Sequence, residues 1–282
     1  MSFFEGETVY KYNITSREPT LYLSDFIIVI GTLLENKNEP LSNFIRYKLE
    51  DINTTIIYFS PIDYNRIVSS NMHFIKYEIE SEEIIFALLL KYFLNNQNNL
   101  INNFIEGLDI GHLSAEINIG EEEFEDIKEL SISKRKHSIF VGKDVVEHNK
   151  SINILNILNQ IHLSTSFDIF LCYEYWTKYH SLIKTKNFTK ELSHISELND
   201  YNGVVVYKYK KSTSNNNILI GGETLLKLLN IIGNDIINIK FSQVVIKSKF
   251  ILDTNLKGNI CLLIYSNDIN CSSYVYQSLD II

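Results

Sequence analysis

Apolar and polar positions alternate in blocks along the first part of this chain. One run over 23–31 is continuously apolar from Phe26 to Ile30 and ends at Gly31, and a second run occupies 54–59 and ends before Pro61. Continuous runs rich in β-branched residues and closed by turn residues are typical of buried parallel strands. Between the two runs, Pro40 can begin a helix whose apolar stripe continues to Asp51. The pattern therefore predicts a strand–helix–strand unit.

The same alternation continues to residue 172. Apolar runs at 138–142 and 168–172 predict two more strands, and helical spacing predicts helices over 82–94, 99–106, 120–132 and 151–163. Ser81 is a candidate N-cap for the helix over 82–94, with acids in its first turn. Four strands separated by helices favour an α/β fold: an open, mostly parallel, Rossmann-like sheet with helices on both faces.

The pattern changes near residue 190, where short strands replace the longer helices. Strands are predicted over 203–209, 218–220, 236–241, 244–247, 259–265 and 273–276, with one short helix over 223–229. We therefore expect two domains, an α/β domain over 1–196 and a smaller, β-rich α+β region over 197–282.

Composition narrows the classes of partner. The chain has 282 residues, 45% of them apolar and 21% charged, with a net charge of −8. An acidic chain is a poor ligand for phosphate backbones, so nucleic acid is not an expected partner. The start has no basic n-region, and no apolar run reaches about 18 residues, so we expect neither a signal peptide nor membrane insertion. The expected location is the cytoplasm.

A search for catalytic chemistry yields only a candidate cleft. Gly31 ends a predicted strand, but 31–36 lacks the second and third glycines of the dinucleotide-binding fingerprint. In an open α/β sheet a ligand would lie at the carboxyl ends of the strands, which makes Gly31, Thr32, Ser60 and Asp63 the cleft candidates. Gly221-Gly222 before the short helix is expected to be a loop-to-helix turn.

No catalytic residue, metal site or cofactor is predicted. Cys172, Cys261 and Cys271 are too few and too scattered for a metal site or a disulfide framework, and none of the seven histidines has ligand spacing. The acids at 78–83 and 121–126 fall at predicted helix starts, where they are expected to complement the helix dipole and stay solvated. The aromatic residues of 173–179 are expected to pack in a core or loop, with contact to a partner chain as the alternative.

Several strings together carry a family resemblance. They are 24–32 with Pro40, Ile45-Arg46 and 56–61; 74–83; 113–122; and 200–207. In these strings the chain resembles the C-terminal, molybdopterin-oxidoreductase-like part of the large G subunit of NADH-quinone oxidoreductase (respiratory complex I), in its epsilonproteobacterial form. That family's N-terminal region holds iron–sulfur clusters on many cysteines, and no such cysteine set is present here.

The resemblance implies a non-catalytic scaffold without bound cofactor. Its partners would be the other subunits of the peripheral arm, so that it would lie at the inner membrane only through the complex. An isolated scaffold of this kind is expected to expose apolar patches. The alternative left open by the residues is a nucleotide- or sugar-nucleotide-binding α/β enzyme with its site at the strand carboxyl ends.

Overall fold

A computed structural model describes residues 10–11, 23–35, 40–64, 67, 69–95, 99–171, 192–195, 198–199, 201–210, 217–231, 235–241, 244–265 and 274–281. The chain divides into two compact units. Unit 1 comprises Met1–Pro61 and Val68–Leu198, and unit 2 comprises Ile62–Ile67 and Asn199–Ile282.

Unit 1 is built on a six-stranded sheet in the order β1-β6-β5-β2-β3-β4. Its strands are β1 (Tyr10–Lys11), β2 (Phe26–Ile30), β3 (Thr55–Ser60), β4 (Met72–Lys76), β5 (His137–Val141) and β6 (Phe167–Leu171). Five strands are parallel, and the two-residue β1 runs antiparallel to β6 at one edge. The strand order reverses between β2 and β5, which makes their carboxyl ends the topological switch point of the sheet.

Seven helices are described in unit 1. They are α1 (Pro40–Lys48), α2 (Glu82–Phe93), α3 (Asn99–Glu106), α4 (Ile110–Ile117), α5 (Glu121–Ile132), α6 (Lys143–Val146) and α7 (Ser151–Ser164). The predicted helices over 99–106, 120–132 and 151–163 agree with α3, α5 and α7 within a residue at either end. The helix α4 was not predicted, and it begins where the Asp109 carboxylate accepts a hydrogen bond from the His112 backbone N–H at 3.1 Å.

Both faces of the central strands are covered, because the sheet alternates its side chains between two layers. Phe26, Ile28 and Ile30 share one core with helices α2, α4, α5 and α7. On the opposite face, the Phe44 ring of α1 lies 5.1 Å from the Phe140 ring. The continuous apolar runs of the sequence follow from this double burial, and the predicted open parallel α/β sheet is confirmed.

The strand β4 shows why one edge of the sheet was not predicted. Its residues are half-buried or exposed, so it has neither an apolar run nor a regular alternation that would mark a strand. It is recruited by hydrogen bonding to β3, in parallel register from Ile56↔Met72 to Ser60↔Lys76.

Unit 2 is a closed six-stranded barrel in the order β10-β8-β11-β7-β12-β9. Its strands are β7 (Val205–Lys210), β8 (Asn217–Gly221), β9 (Ile236–Phe241), β10 (Val244–Leu252), β11 (Ile260–Tyr265) and β12 (Tyr276–Ile281), with α8 (Glu223–Leu228) after β8. The pairs β10–β8 and β11–β7 are parallel and the other pairs are antiparallel. The apolar interior includes Val206, Leu219, Phe250 and Leu263.

Candidate functional site

The sequence-predicted cleft residues lie at the carboxyl ends of β2 and β3, except for one. Gly31 and Thr32 follow β2, and Ser60 is the last residue of β3. Thr32 and Ser60 are both buried. Asp63 belongs to unit 2, where its backbone carbonyl accepts a hydrogen bond from the Lys257 N–H at 2.9 Å.

The switch point between β2 and β5 is occupied by the backbone of the chain itself. The Gly142 N–H donates to the Ile30 carbonyl at 2.8 Å, and the Asp144 N–H donates to the Gly31 carbonyl at 3.0 Å. A β-carbon built on Gly142 would lie 2.1 Å from the Gly31 carbonyl oxygen. The two loops therefore touch at the point where an open α/β sheet usually admits a ligand.

Gly31 has a separate reason to be glycine. Its φ is +76°, in the left-handed region, and a β-carbon there would lie 2.5 Å from the Val145 Cγ2 atom. The glycine at the end of the first strand thus serves a turn and a close packing contact.

The loop after β2 is fixed by side chains that donate to its carbonyls. The Tyr58 hydroxyl donates to the Thr32 carbonyl at 3.0 Å, and the Ser42 hydroxyl donates to the Leu33 carbonyl at 3.1 Å. The Arg46 guanidinium donates to the Leu34 carbonyl through Nη2 at 2.8 Å. A phosphate-binding loop directs its backbone N–H groups towards an anion, whereas this loop is organised around its carbonyl oxygens.

The central hydroxyl of this arrangement keeps its proton. Burial raises the pKa of Tyr58, and the Glu35 carboxylate raises it further. The same hydroxyl also accepts a hydrogen bond from the Leu34 N–H at 3.4 Å. Tyr58 therefore acts as a neutral hydrogen-bonding group that joins β3 to the loop after β2.

A second polar cluster at the carboxyl edge corrects a sequence prediction. The acids of 78–83 were expected to be solvated, but Glu80, Glu82 and Glu83 are 5%, 0% and 2% exposed. Their carboxylates are turned into the contact between the start of α2 and the segment that leads into α7. We name this set, with Tyr77, His148, Lys150 and Asn153, the acid–histidine cluster.

Within that cluster the Glu82 carboxylate contacts the side chains of Tyr77 and His148. The Tyr77 hydroxyl donates to Glu82 Oε1 at 3.0 Å, and His148 Nε2 lies 3.5 Å from Glu82 Oε2. Glu83 accepts from the Asn153 side-chain amide at 2.7 Å and lies 3.3 Å from the Lys150 ammonium. Each buried carboxylate is thus supported by polar groups, as burial of a charge requires.

The hydrogen bonds of His148 define its tautomer. The Lys150 backbone N–H donates to Nδ1 at 2.9 Å, so Nδ1 must be unprotonated. The proton therefore lies on Nε2, which faces the Glu80 carbonyl at 3.2 Å. Glu80, whose carbonyl faces Nε2, has a left-handed backbone conformation with φ of 69°.

Ser81 occupies the N-cap position of α2, as predicted, but its side chain does not cap the helix. Ser81 precedes the helix, but its φ and ψ are −83° and 0°, and its side chain makes no capping hydrogen bond. Its hydroxyl is buried and has no hydrogen-bond partner among the described residues. The neighbouring glutamates turn inward instead of standing in solvent at the helix start.

The exposed acidic run behaves as predicted. Glu121, Glu122 and Glu123 at the start of α5 are all exposed. This contrast shows that acidity at a helix start does not distinguish a solvated carboxylate from a buried one. The Glu80 carboxylate accepts a hydrogen bond from the side-chain amide of Asn149, 69 residues away, and no local signal could have revealed this contact.

Thiol chemistry is limited to one described cysteine. Cys261 is buried in the barrel and donates to the Val205 carbonyl at 3.4 Å, and burial raises the pKa of its thiol. Cys172, Cys271 and the predicted aromatic residues of 173–179 lie outside the described residues. Within the described ranges, no three His, Cys, Asp or Glu side chains are grouped so that they could hold a metal ion.

The loop before α8 also contains a close backbone contact. A β-carbon on Gly222 would lie 2.0 Å from the Leu256 carbonyl oxygen. Gly221-Gly222 is therefore a loop-to-helix turn with a packing requirement, as predicted from the sequence.

Comparison with known proteins leaves the family open: no protein-family model matches the chain, and no curated protein matches it. Among the helices that the structure describes, none combines the length and apolar character needed to cross a bilayer.

Proposed function

We propose that this chain is a non-catalytic structural component of a larger assembly, with no cofactor of its own. The observation that carries the proposal is the contact between Gly31 and Gly142. Backbone hydrogen bonds and close packing occupy the switch point of the sheet, where a nucleotide-binding α/β enzyme would bind its ligand.

The buried state of the acid–histidine cluster supports the same proposal. A general acid or base must reach the proton that it transfers, and Glu82 is 0% exposed. The cluster joins the start of α2 to the segment before α7, so its supported role is to position two helices. That is a stabilising role in a scaffold.

Apolar side chains at the amino edge of the parallel sheet offer a surface for a partner. Leu23, Ile52 and Ile132 are 71%, 85% and 77% exposed. Backbone and side-chain contacts bring their loops together: the Lys134 ammonium donates to the Asn53 carbonyl at 2.6 Å, and the Asp25 carboxylate accepts from the Arg135 N–H at 3.1 Å. Large exposed apolar groups on adjacent loops are typical of protein–protein contact sites.

The resemblance in sequence strings suggests which assembly this is. Under the proposal the chain packs in the peripheral arm of an NADH-quinone oxidoreductase, in the place of the molybdopterin-oxidoreductase-like part of the G subunit. It would then be cytoplasmic and peripheral to the inner membrane through that complex, while electron transfer takes place in other subunits.

A native pull-down tests the assembly. The tagged chain is expressed in its own organism, membranes are gently solubilised, and captured proteins are identified by mass spectrometry. The expected result is recovery of NADH-quinone oxidoreductase subunits. Recovery of the chain alone would overturn the proposed complex.

Variants locate the contact. Ile52→Asp/Ile132→Asp should reduce the capture of those subunits, because two charges would be placed in the apolar contact. Leu228→Asp/Leu252→Asp, at positions 62% and 40% exposed in unit 2, adds the same two charges; it is the matched control and should leave capture unchanged.

The strand order of unit 1 favours one alternative, a nucleotide- or sugar-nucleotide-binding enzyme whose ligand would lie near Thr32 and Ser60. A ligand at 100 times its Kd adds about 2.7 kcal/mol to the free energy of unfolding. Thermal unfolding measured with nucleotides and sugar nucleotides therefore distinguishes the two functions. A reproducible shift would favour the enzyme, and no shift with any of them would eliminate it.

A further inference from the structure

The outer face of β9 and β10 carries an unusual combination of charges. Six positions on this face are exposed, and they alternate with buried or half-buried residues of the opposite face. They are Ile236, Asn238, Lys240, Val245, Lys247 and Lys249. None of the six is acidic, although the chain as a whole has a net charge of −8. The exposed Asp280 of the neighbouring strand β12 lies opposite Lys240, at the edge of this set. We name these six residues the basic strand face.

The register of the two strands places the three lysines close together. Lys247 lies opposite Asn238, Lys240 lies opposite Val245, and Lys249 lies opposite Ile236. Diagonal neighbours on one sheet face are about 7–8 Å apart, so Lys247 is within that distance of Lys240. Lys247 and Lys249 have no acidic residue opposite them on β9, so their like charges repel one another when the face is left in water.

The apolar residues of this face are also exposed to solvent. Ile236 and Val245 are 75% and 55% exposed and lie at diagonally opposite corners of the face. A surface that combines lysines with exposed β-branched side chains suits a partner that brings carboxylates and also excludes water.

The complementary surface is present in the same chain, on helix α5. Glu122, Glu125, Asp126 and Glu129 are exposed, and Lys128 is the one basic residue of this helix. Glu122 and Asp126 form one i,i+4 pair of like charge, and Glu125 and Glu129 form another. Such pairs destabilise a helix until a positive surface approaches them.

We propose that the basic strand face of one molecule binds the acidic face of α5 on a second copy of this chain. The charges are of opposite sign, and none of these side chains makes an ion pair among the residues that the structure describes. The two surfaces differ, so the contact is heterologous and continues into rings or open chains of molecules. This inference goes beyond the proposed function and does not depend on it.

Sedimentation velocity of the purified full chain over a range of concentrations tests the contact. The Debye length is about 30 Å at 0.01 M salt and about 3 Å at 1 M salt. We therefore expect the average mass to rise with protein concentration at low salt and to fall to that of the monomer at high salt. A mass independent of concentration at low salt would overturn the proposal.

The salt dependence also keeps this test separate from that of the proposed function. Association through the apolar amino edge of the sheet would persist or strengthen at high salt. A salt-resistant oligomer would therefore overturn the electrostatic contact without affecting the proposed scaffold role.

Charge reversal identifies the surface. Lys247→Glu/Lys249→Glu should weaken self-association about tenfold or more, because two attractions become repulsions. Lys227→Glu/Lys257→Glu changes the net charge equally at two exposed positions of the same unit and is the matched control. Equal weakening in both double variants would assign the effect to net charge and overturn the proposed face.

A mixing experiment identifies the counterpart. Glu125→Lys/Glu129→Lys should also lose self-association, since it removes the acidic face. When it is mixed with Lys247→Glu/Lys249→Glu, the unchanged lysines of the first variant can meet the unchanged acids of the second, and the two reversed faces also carry opposite charges. Hetero-association in the mixture is the expected result, and a mixture that stays monomeric would overturn the pairing.

Discussion

The α-carbon of Gly142 packs directly against the carbonyl of Gly31, so that a β-carbon on Gly142 would lie 2.1 Å from that oxygen. The first residue follows β5 and the second follows β2, the two neighbouring strands between which the strand order reverses. This contact joins the two loops that follow these strands. It connects the absence of a phosphate-binding glycine pattern in the sequence to the proposed scaffold role.

The close contact at Gly142 predicts that even a methyl side chain at this position strongly destabilises the fold. Gly142→Ala should reduce the free energy of unfolding by about 3 kcal/mol, because backbone atoms must move to relieve overpacking. Urea unfolding measures the change. Gly111→Ala is the control, since its nearest neighbour would be 3.9 Å away and alanine favours a helix. It should be neutral or stabilising, and equal losses in both variants would contradict the prediction.

Removal of the Glu82 carboxylate should be costly although no ligand contacts it. Glu82→Ala leaves the Tyr77 hydroxyl without this acceptor in a buried site and removes the carboxylate that lies beside His148. We expect a loss of about 3 kcal/mol in the free energy of unfolding. Glu82→Gln should lose less, because its amide oxygen can still accept from Tyr77.

The exposed Glu122 provides the comparison for Glu82. Glu122→Ala should change the free energy of unfolding by less than about 0.5 kcal/mol. A Glu82→Ala variant as stable as Glu122→Ala would show that the acid–histidine cluster does not hold the helices together.

The raised pKa of Tyr58 predicts that the difference in stability between the wild type and Tyr58→Phe depends on pH. At pH 8, Tyr58→Phe should be less stable than the wild type by about 1 kcal/mol, because the hydrogen bond to the Thr32 carbonyl is lost. The pKa of Tyr58 is raised in the folded chain from its ordinary value of 10.0. The contribution of the protonated hydroxyl is therefore complete below pH 10 and declines as the pH rises above it.

The stability advantage of the wild type over Tyr58→Phe should shrink as the pH rises from 8 to 11. At pH 11 ionisation of Tyr58 stabilises the unfolded wild type by about 1.4 kcal/mol, and Tyr58→Phe is free of this effect. Urea unfolding at pH 8 and pH 11 should show the difference between the two proteins closing or reversing. Tyr47→Phe, at a position 56% exposed, is the control. A Tyr58→Phe deficit that stays constant with pH would refute the prediction.

Cys261 should be unreactive in the folded protein. Burial raises the pKa of its thiol, and only the thiolate reacts with disulfide reagents. In a Cys172→Ser/Cys271→Ser background, Ellman's reagent should react about a thousandfold or more slowly than it does in urea. Rapid labelling under native conditions would show that the barrel opens at β11.

The sequence predicted the fold best where a strand is buried on both faces. The runs ending at Gly31 and before Pro61 are apolar because β2 and β3 are covered on both faces, so their pattern marks them without further information. The strand β4 was not readable, since its edge position leaves its side chains half-exposed. For the candidate cleft, the sequence predicted only that it lies at the carboxyl edge of the sheet. It could not predict the contact between Gly31 and Gly142, because these two loops are far apart in the chain.

The sequence by itself determined the class of the fold, the positions of most helices and strands, and the acidic character of the surface, since these depend on local periodicity and composition. Only the tertiary structure decided that Gly142 closes the switch point and that Glu80, Glu82 and Glu83 are buried while Glu121, Glu122 and Glu123 are exposed. The two acidic runs have similar local sequences. Their difference comes from His148 and Asn153, which a distant helix and its preceding loop bring to the first run.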